Sequence, residues 1–364
     1  MVLWGGNVLA TNKERLLDVQ NLETQFRTEE GILRAVDRVS FHLNKGETLG
    51  IVGESGCGKS ITAKSLMNLV PQPRGKIVGG KIMYYGRSEP MDIASYHHNS
   101  SEMRTIRGNE ISMIFQEPMT SLNPVFTVGN QLMEAVMLHQ KVGKREAKQR
   151  AIEMLAKVGI STPEKRIDRF PHEFSGGMRQ RAMIAMALSC NPHLLIADEP
   201  TTALDVTVEA QILNLMLDLQ DEMGMAIIMI THDLGVIAGI ATRVVVMYAG
   251  WVVEMATTED IFYSPKHPYT KALLQSIPKI GNRERLLSIP GTVPDLNNLE
   301  RGWCYFAPRC PHAMDICRQK EPPLIDDNGG HAVKCWLWDK EFVGQKNDEH
   351  PAEEQAKTAE EQTH

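Results

Sequence analysis

Gly53-Glu54-Ser55-Gly56-Cys57-Gly58-Lys59-Ser60 is the most informative run in the chain. It fits G-x-x-x-x-G-K-[ST], the phosphate-binding loop, and its flanks are those the loop needs. Ahead of it Thr48-Leu49-Gly50-Ile51-Val52 reads as a short buried strand, and behind it Ile61-Thr62-Ala63-Lys64-Ser65-Leu66-Met67 reads as the opening of a helix. The glycines let the backbone curl so that successive N–H groups face phosphate oxygens, and the helix N-terminus adds partial positive charge. Lys59 is expected to reach the β- and γ-phosphates and Ser60 to ligate Mg²⁺, with Ile61 completing the cradle at the start of the helix.

Working outward, the 364 residues are enough for a full core and more than one domain, and 42% apolar with 23% charged residues is an ordinary globular composition. A net charge of −6 gives no support to a nucleic-acid partner. No signal peptide is visible and no apolar run approaches the length of a membrane span, so the expectation is a cytosolic chain or one bound to a membrane through something else.

Residues 1–14 read as a loose start. Residues 16–43 alternate apolar and polar side chains around a polar turn at 27–31, which predicts antiparallel strands; 76–85 adds a further hairpin strand. Ile111-Ser112-Met113-Ile114-Phe115 reads as a buried strand ending at Gln116. From about 118 to 190 the period is helical, as in 144–158, where Ala147, Ala151, Met154, Leu155 and Val158 recur at helical spacing. The continuous apolar runs Leu194-Leu195-Ile196-Ala197 and Ala226-Ile227-Ile228-Met229-Ile230 suit central parallel strands covered on both faces. Beyond about 262, prolines break the chain into short pieces, predicting a small irregular extension over 263–342 that needs something other than a core to hold it. Residues 343–364 read as a disordered acidic tail.

Several groups are aimed at whatever the loop holds. Asp198, at the end of an apolar strand, can hold Mg²⁺, and Glu199 beside it can polarise an attacking water. Phe174-Ser175-Gly176-Gly177-Met178-Arg179-Gln180-Arg181 resembles the ATP-binding cassette (ABC) signature L-S-G-G-Q, departing at Phe174 and Met178. Its working parts, the Ser175 hydroxyl and the Gly176 and Gly177 amides, are kept. The resemblance extends in chain order. Gln116 is similar to the family's Q-loop glutamine, which touches Mg²⁺ and water. Thr202-Ala203-Leu204-Asp205 resembles the D-loop, placing Asp205 against a second subunit. His232 resembles the switch histidine at the γ-phosphate. Phe26 sits where the family places an aromatic that stacks on adenine, a contact worth roughly 1–3 kcal/mol. The fold implied is an α/β P-loop NTPase of the ABC ATPase kind: a RecA-like core, an antiparallel β subdomain and a helical subdomain within 15–262, followed by the extension.

Within that family, Phe115-Gln116-Glu117-Pro118-Met119-Thr120-Ser121-Leu122-Asn123-Pro124, Met247-Tyr248-Ala249-Gly250 and His267-Pro268-Tyr269-Thr270 are similar to the ATP-binding subunits of oligopeptide and dipeptide importers. The resemblance is to the D-type subunit. It implies an ATPase that pairs with a homologous F-type ATPase beneath two transmembrane permeases, peripheral on the cytoplasmic face of the membrane and fed by an extracellular peptide-binding protein. It also implies that each ATP is shared between one subunit's phosphate loop and the other's signature. The segment after Gln116, with its Pro118, Asn123 and Pro124 turns, is the expected permease contact. The rival reading, a soluble ABC ATPase acting without a permease, usually brings two cassettes or a long coiled coil, and this chain has neither. A regulatory ATP binder that does not hydrolyse is opposed by Asp198, Glu199 and His232 together.

Cys304, Cys310, Cys317 and Cys335 are spaced C-x₅-C-x₆-C-x₁₇-C among aromatics and prolines. Four thiolates suit zinc or an iron–sulfur centre, and a reducing compartment argues against disulfides. The spacing has no close pair of the zinc-knuckle kind and does not match common ferredoxins, while His312 and His331 keep zinc open. The D-type resemblance implies a 4Fe-4S cluster with a structural role.

Overall fold

The structure, a computed structural model, describes residues 15–116, 121–202, 205–276, 289–297, 299–327, 329–340 and 342. The start at 1–14, Glu117 to Thr120, Ala203 and Leu204 of the D-loop, and the acidic tail at 343–364 lie outside the described residues.

Alternation along β1 (Arg15–Arg27) and β2 (Ile32–Asn44) produces the predicted antiparallel pair, and β4 (Gly75–Tyr84) and β5 (Met91–Asp92) extend it to a four-stranded sheet ordered β2-β1-β4-β5. Among the described residues the main sheet has eight strands. Its parallel centre runs β9-β3-β8-β7-β6, built from β3 (Thr48–Val52), β6 (Ile111–Ile114), β7 (Leu194–Asp198), β8 (Ala226–Ile230) and β9 (Arg243–Tyr248). Every residue of β3, β7 and β8 is buried, as two-sided cover requires. Because successive side chains point to opposite faces, each strand feeds two cores. Leu194, Ile196, Ile228 and Ile230 face the core shared with the β subdomain, while Leu195, Ala197, Ile227 and Met229 face the core shared with the helices.

The helical stretch contains α2 (Val128–Gln140), α3 (Lys144–Lys157) and α4 (Gly176–Leu188), while α1 (Lys59–Leu66) follows the phosphate loop and α5 (Val206–Met223) follows β7. In α3 the buried side chains are Ala147, Ala151, Met154 and Leu155, the face its period predicts. None of the described helices is long and apolar enough to cross a membrane.

The extension departs from expectation in how it is held. Its hairpin, β11 (Leu324–Asp326) and β12 (Ala332–Lys334), joins the edge of the main sheet, with β12 antiparallel to β10 (Trp251–Thr257). Tyr305 and Phe306 are buried in the larger core: Tyr305 stacks on Trp251 at 3.7 Å, and Phe306 packs edge-on to Tyr248 and Tyr269 at 5.2 and 5.4 Å. Arg301 pairs with buried Asp37 at 2.6 Å, and Arg38 with Glu321 at 2.7 Å. A proline-broken segment too short for its own core has borrowed the cassette's.

Candidate nucleotide site

The loop between β3 and α1 is shaped by glycines that no other residue could replace. Gly58 has φ +103°, and a Cβ there would lie 2.2 Å from the Ala35 carbonyl oxygen; at Gly53 it would lie 2.2 Å from that of Met247. The loop is thereby pressed against β2 and the end of β9. Cys57 is buried beneath it, and burial pushes its thiol up. Ser55 and Gly56 are exposed at the crown. The buried Lys59 ammonium donates to the Gly53 and Glu54 carbonyls at 2.7 and 3.0 Å, and so stands inside the curl of the loop. Ile61 is half-buried against the β-subdomain core.

Ser60 donates to Asp198 Oδ1 at 2.9 Å, which brings together two expected Mg²⁺ ligands from separate segments of the chain. Burial, reinforced by the neighbouring Glu199 charge, raises the Asp198 carboxyl above its usual range against the pull of the Ser60 bond. A cation at this position would reverse that. Gln116 does not sit on this pair; its amide donates to Glu199 Oε2 at 2.9 Å, while His232 Nδ1 lies 3.2 Å from Glu199 Oε1. Burial works to raise the Glu199 carboxyl, but the hydrogen bonds from His232 and Gln116 outweigh it and leave the group below its usual range. Glu199 adopts a left-handed backbone, φ +49°, directly after β7. That conformation costs about 1 kcal/mol or more in a residue with a side chain, and such strain clusters at working sites. The arrangement is a carboxylate held ionised and oriented by two neighbours, next to a lysine and a Ser–Asp pair. It can hold a triphosphate with its metal and orient a water in line with it.

The signature residues lie elsewhere on the surface. Ser175 caps α4 by accepting from the Met178 N–H at 3.3 Å, and Ser175 and Gly176 are exposed. Gly177 packs closely on Val208 of α5, whose cap is Asp205, accepting from the Val208 N–H at 3.0 Å. Among the described residues no hydrogen bond joins Ser175, Gly176 or Gly177 to the phosphate loop. Phe26 is half-buried in β1, its ring filling the space over Gly75; the described contacts do not carry it to the loop.

Two contacts go beyond the sequence reading. The Glu54 N–H donates to the Tyr269 hydroxyl at 2.9 Å, and the Glu54 carboxylate accepts from both ends of the Arg309 guanidinium at 2.7 and 3.0 Å. Tyr269 belongs to the His267-Pro268-Tyr269-Thr270 motif, so a signal existed; Arg309, 255 residues away, had none.

Cys304, Cys310, Cys317 and Cys335 all line one small cavity with His267, Phe306 and His312. Burial pushes Cys304 up to about 12 and Cys335 up to about 11. Among the described residues no group of three or more His, Cys, Asp or Glu side chains is arranged to hold a metal ion, so the geometry gives no support to the expected 4Fe-4S centre or to zinc in its place.

Compared with known proteins, the chain matches the ABC transporter family over residues 36–202 and the oligopeptide/dipeptide transporter C-terminal region over 253–317. It is 55% identical over 323 residues to the probable peptide ABC transporter ATP-binding protein y4tR of Sinorhizobium fredii, covering 88% of this chain and 94% of that one. It is 54% identical to the oligopeptide transport ATP-binding protein OppD of Bacillus subtilis, covering 89% of each. It is 51% identical to the dipeptide transport ATP-binding protein DppD of the same organism, covering 90% of this chain and 96% of that one. The fold is similar to that of the dimeric ATP-binding cassette MJ0796 bound to ADP and Pi, with a TM-score of 0.58 and 26% identity over 67% of this chain and 99% of that one. Loop, acidic strand end and signature occur on an ABC ATPase fold, and the chain belongs to the ABC transporter ATP-binding proteins of the oligopeptide and dipeptide group.

Proposed function

We propose that this chain is the ATP-hydrolysing subunit that powers import of oligopeptides or dipeptides across the cytoplasmic membrane. The observation that carries the reading is the ring of groups around Glu199, which is built for hydrolysis, on a chain whose C-terminal region matches that of peptide transporters. Glu199 serves as the base, Gln116 and His232 orient it, Lys59 and the loop amides hold phosphate, and Ser60 and Asp198 hold Mg²⁺. Phe26 supports adenine.

The exposed Ser175 and Gly176 serve the nucleotide of a second, homologous F-type subunit, and Asp205 lies at the same junction. Permeases dock on a groove of about 690 Å³ lined by Met113, Phe115, Ser121, Met183 and Met186. Phe115 is exposed in this groove and directly precedes Gln116, which fits a partner that must sense the nucleotide. An external binding protein delivers the peptide, and the subunit sits peripherally on the cytoplasmic side. Transport of labelled peptide into vesicles holding the assembled complex tests this. Uptake should require ATP and the loaded binding protein, and ATP turnover indifferent to both permease and peptide would favour the permease-free reading.

The four cysteines hold a 4Fe-4S cluster. What supports this is that all four line one common cavity. The cluster is structural and supplies four bonds to a segment with little core of its own. Anaerobically purified protein should be brown with about four irons per chain; a colourless sample with one zinc would put zinc there instead.

A further inference from the structure

Arg309 is a buried charge in direct contact with the phosphate loop, yet it comes from the extension and takes no part in the arrangement around Glu199. Its side chain is 4% exposed against 27% for Glu54, and its two terminal nitrogens engage the two carboxylate oxygens separately. Such a fork fixes orientation as well as charge. Arg309 has other anchors: its Nε donates to the Pro290 carbonyl at 2.9 Å, and its Nη1 to the Tyr248 hydroxyl at 3.3 Å. The Tyr248 contact, with the burial of Tyr305 and Phe306 in the cassette's core, would hold the extension in place without Glu54. Glu54, by contrast, has much to lose. It is a carboxylate inside a loop that must receive a polyphosphate, and its carbonyl accepts from Lys59 at 3.0 Å.

We propose that Arg309 is a positioning residue for the nucleotide: it neutralises Glu54, holds the phosphate loop in its receiving shape, and so makes ATP affinity depend on the docked extension. The inference rests on ATP as the ligand of this loop and not on peptide as the cargo. Removing Arg309 leaves a part-buried carboxylate uncompensated beside the phosphates and frees the segment that carries the carbonyl partner of Lys59.

The test is Mg²⁺-ADP binding to the full-length chain by calorimetry, in a double-mutant cycle. Arg309→Met should raise Kd about 10-fold or more, and in a Glu54→Gln background the same change should raise it less than about 3-fold, because the charge it served is gone. If Arg309→Met does not fold, Arg309→Lys, which keeps the charge but loses the fork, should raise Kd about 3-fold with Glu54 present and leave it unchanged in the Glu54→Gln background. A merely structural role would lower the number of binding sites per chain and leave Kd alone. That result, or an equal rise in Kd in both backgrounds, overturns the proposal. Since the readout is nucleotide binding to the chain alone, failure of the peptide-import reading would not touch it.

Discussion

At the scale of single residues, Glu199 carries the most specific expectation. It is held between Gln116 and His232 and kept ionised, which suits the role proposed for it, taking or orienting a proton of water. Glu199→Gln should bind ATP normally and lose about 10²–10⁴-fold in turnover, read by phosphate release from the assembled complex. Lys59→Ala should instead lose nucleotide binding, because the ammonium stands inside the loop, where the proposed phosphates would be held. Hydrolysis at the wild-type rate in Glu199→Gln would remove the base from this position. The residue pattern was legible because each group is tied to a local conformation that the sequence encodes: glycine where φ is positive, a carboxylate where an apolar strand ends.

At the scale of elements, α6 (Pro268–Gln275) is instructive. His267 Nδ1 accepts from the Tyr269 N–H at 3.0 Å and caps the helix that presents the Tyr269 hydroxyl to Glu54. Full burial lowers His267 from 6.5 to about 3, so the folded chain keeps the ring neutral with Nδ1 free to accept. Below about pH 6.5 the unfolded chain takes up a proton that the folded one refuses, so this group's contribution to stability is complete above 6.5 and drains away as pH falls toward 3. His267→Asn keeps a capping acceptor without the titration. Its melting temperature should therefore fall less steeply than that of the wild type between pH 6.5 and the acid limit, by thermal unfolding at matched ionic strength; parallel curves would remove His267 as the cause. In the helical region, Leu155 is wholly buried in the core that α2, α3 and α4 share, and Leu155→Ala should cost about 2–5 kcal/mol of stability in denaturant titration. The periodicity of α3 announced that face; it carried no information on which helices would cover it.

At the scale of the whole molecule, the phosphate loop and the signature lie on different parts of one chain. Ser175 and Gly176 face solvent, and the start of α5 exposes Val206 at 82%. That separation of loop and signature is what the proposed sharing of each nucleotide between two ATPase subunits would require. The isolated chain should accordingly hydrolyse ATP slowly and gain rate when the partner ATPase and permeases are added. Glu199→Gln in ATP should accumulate the two-ATPase dimer on a sizing column, because ligand that binds only the closed form stabilises it. Full activity in a verified monomer would refute the shared site.

Local sequence was enough to specify the phosphate loop, the buried parallel strands, the acid pair at a strand end and the signature helix. Each of these is encoded within about ten consecutive residues by periodicity, glycine conformation or capping chemistry. The remaining features arise from contacts between distant segments. Tertiary structure placed Gln116 and His232 on Glu199 by setting the ends of β6, β7 and β8 side by side, and it gathered four widely spaced cysteines around one cavity. It also laid Arg309 on Glu54 across 255 residues and carried β12 onto the edge of the ATPase sheet. The physical reason is that a hydrogen bond or an ion pair between distant segments leaves no periodic trace in either of them; it exists only once burial of Tyr305, Phe306 and Trp251 has brought the two surfaces into contact.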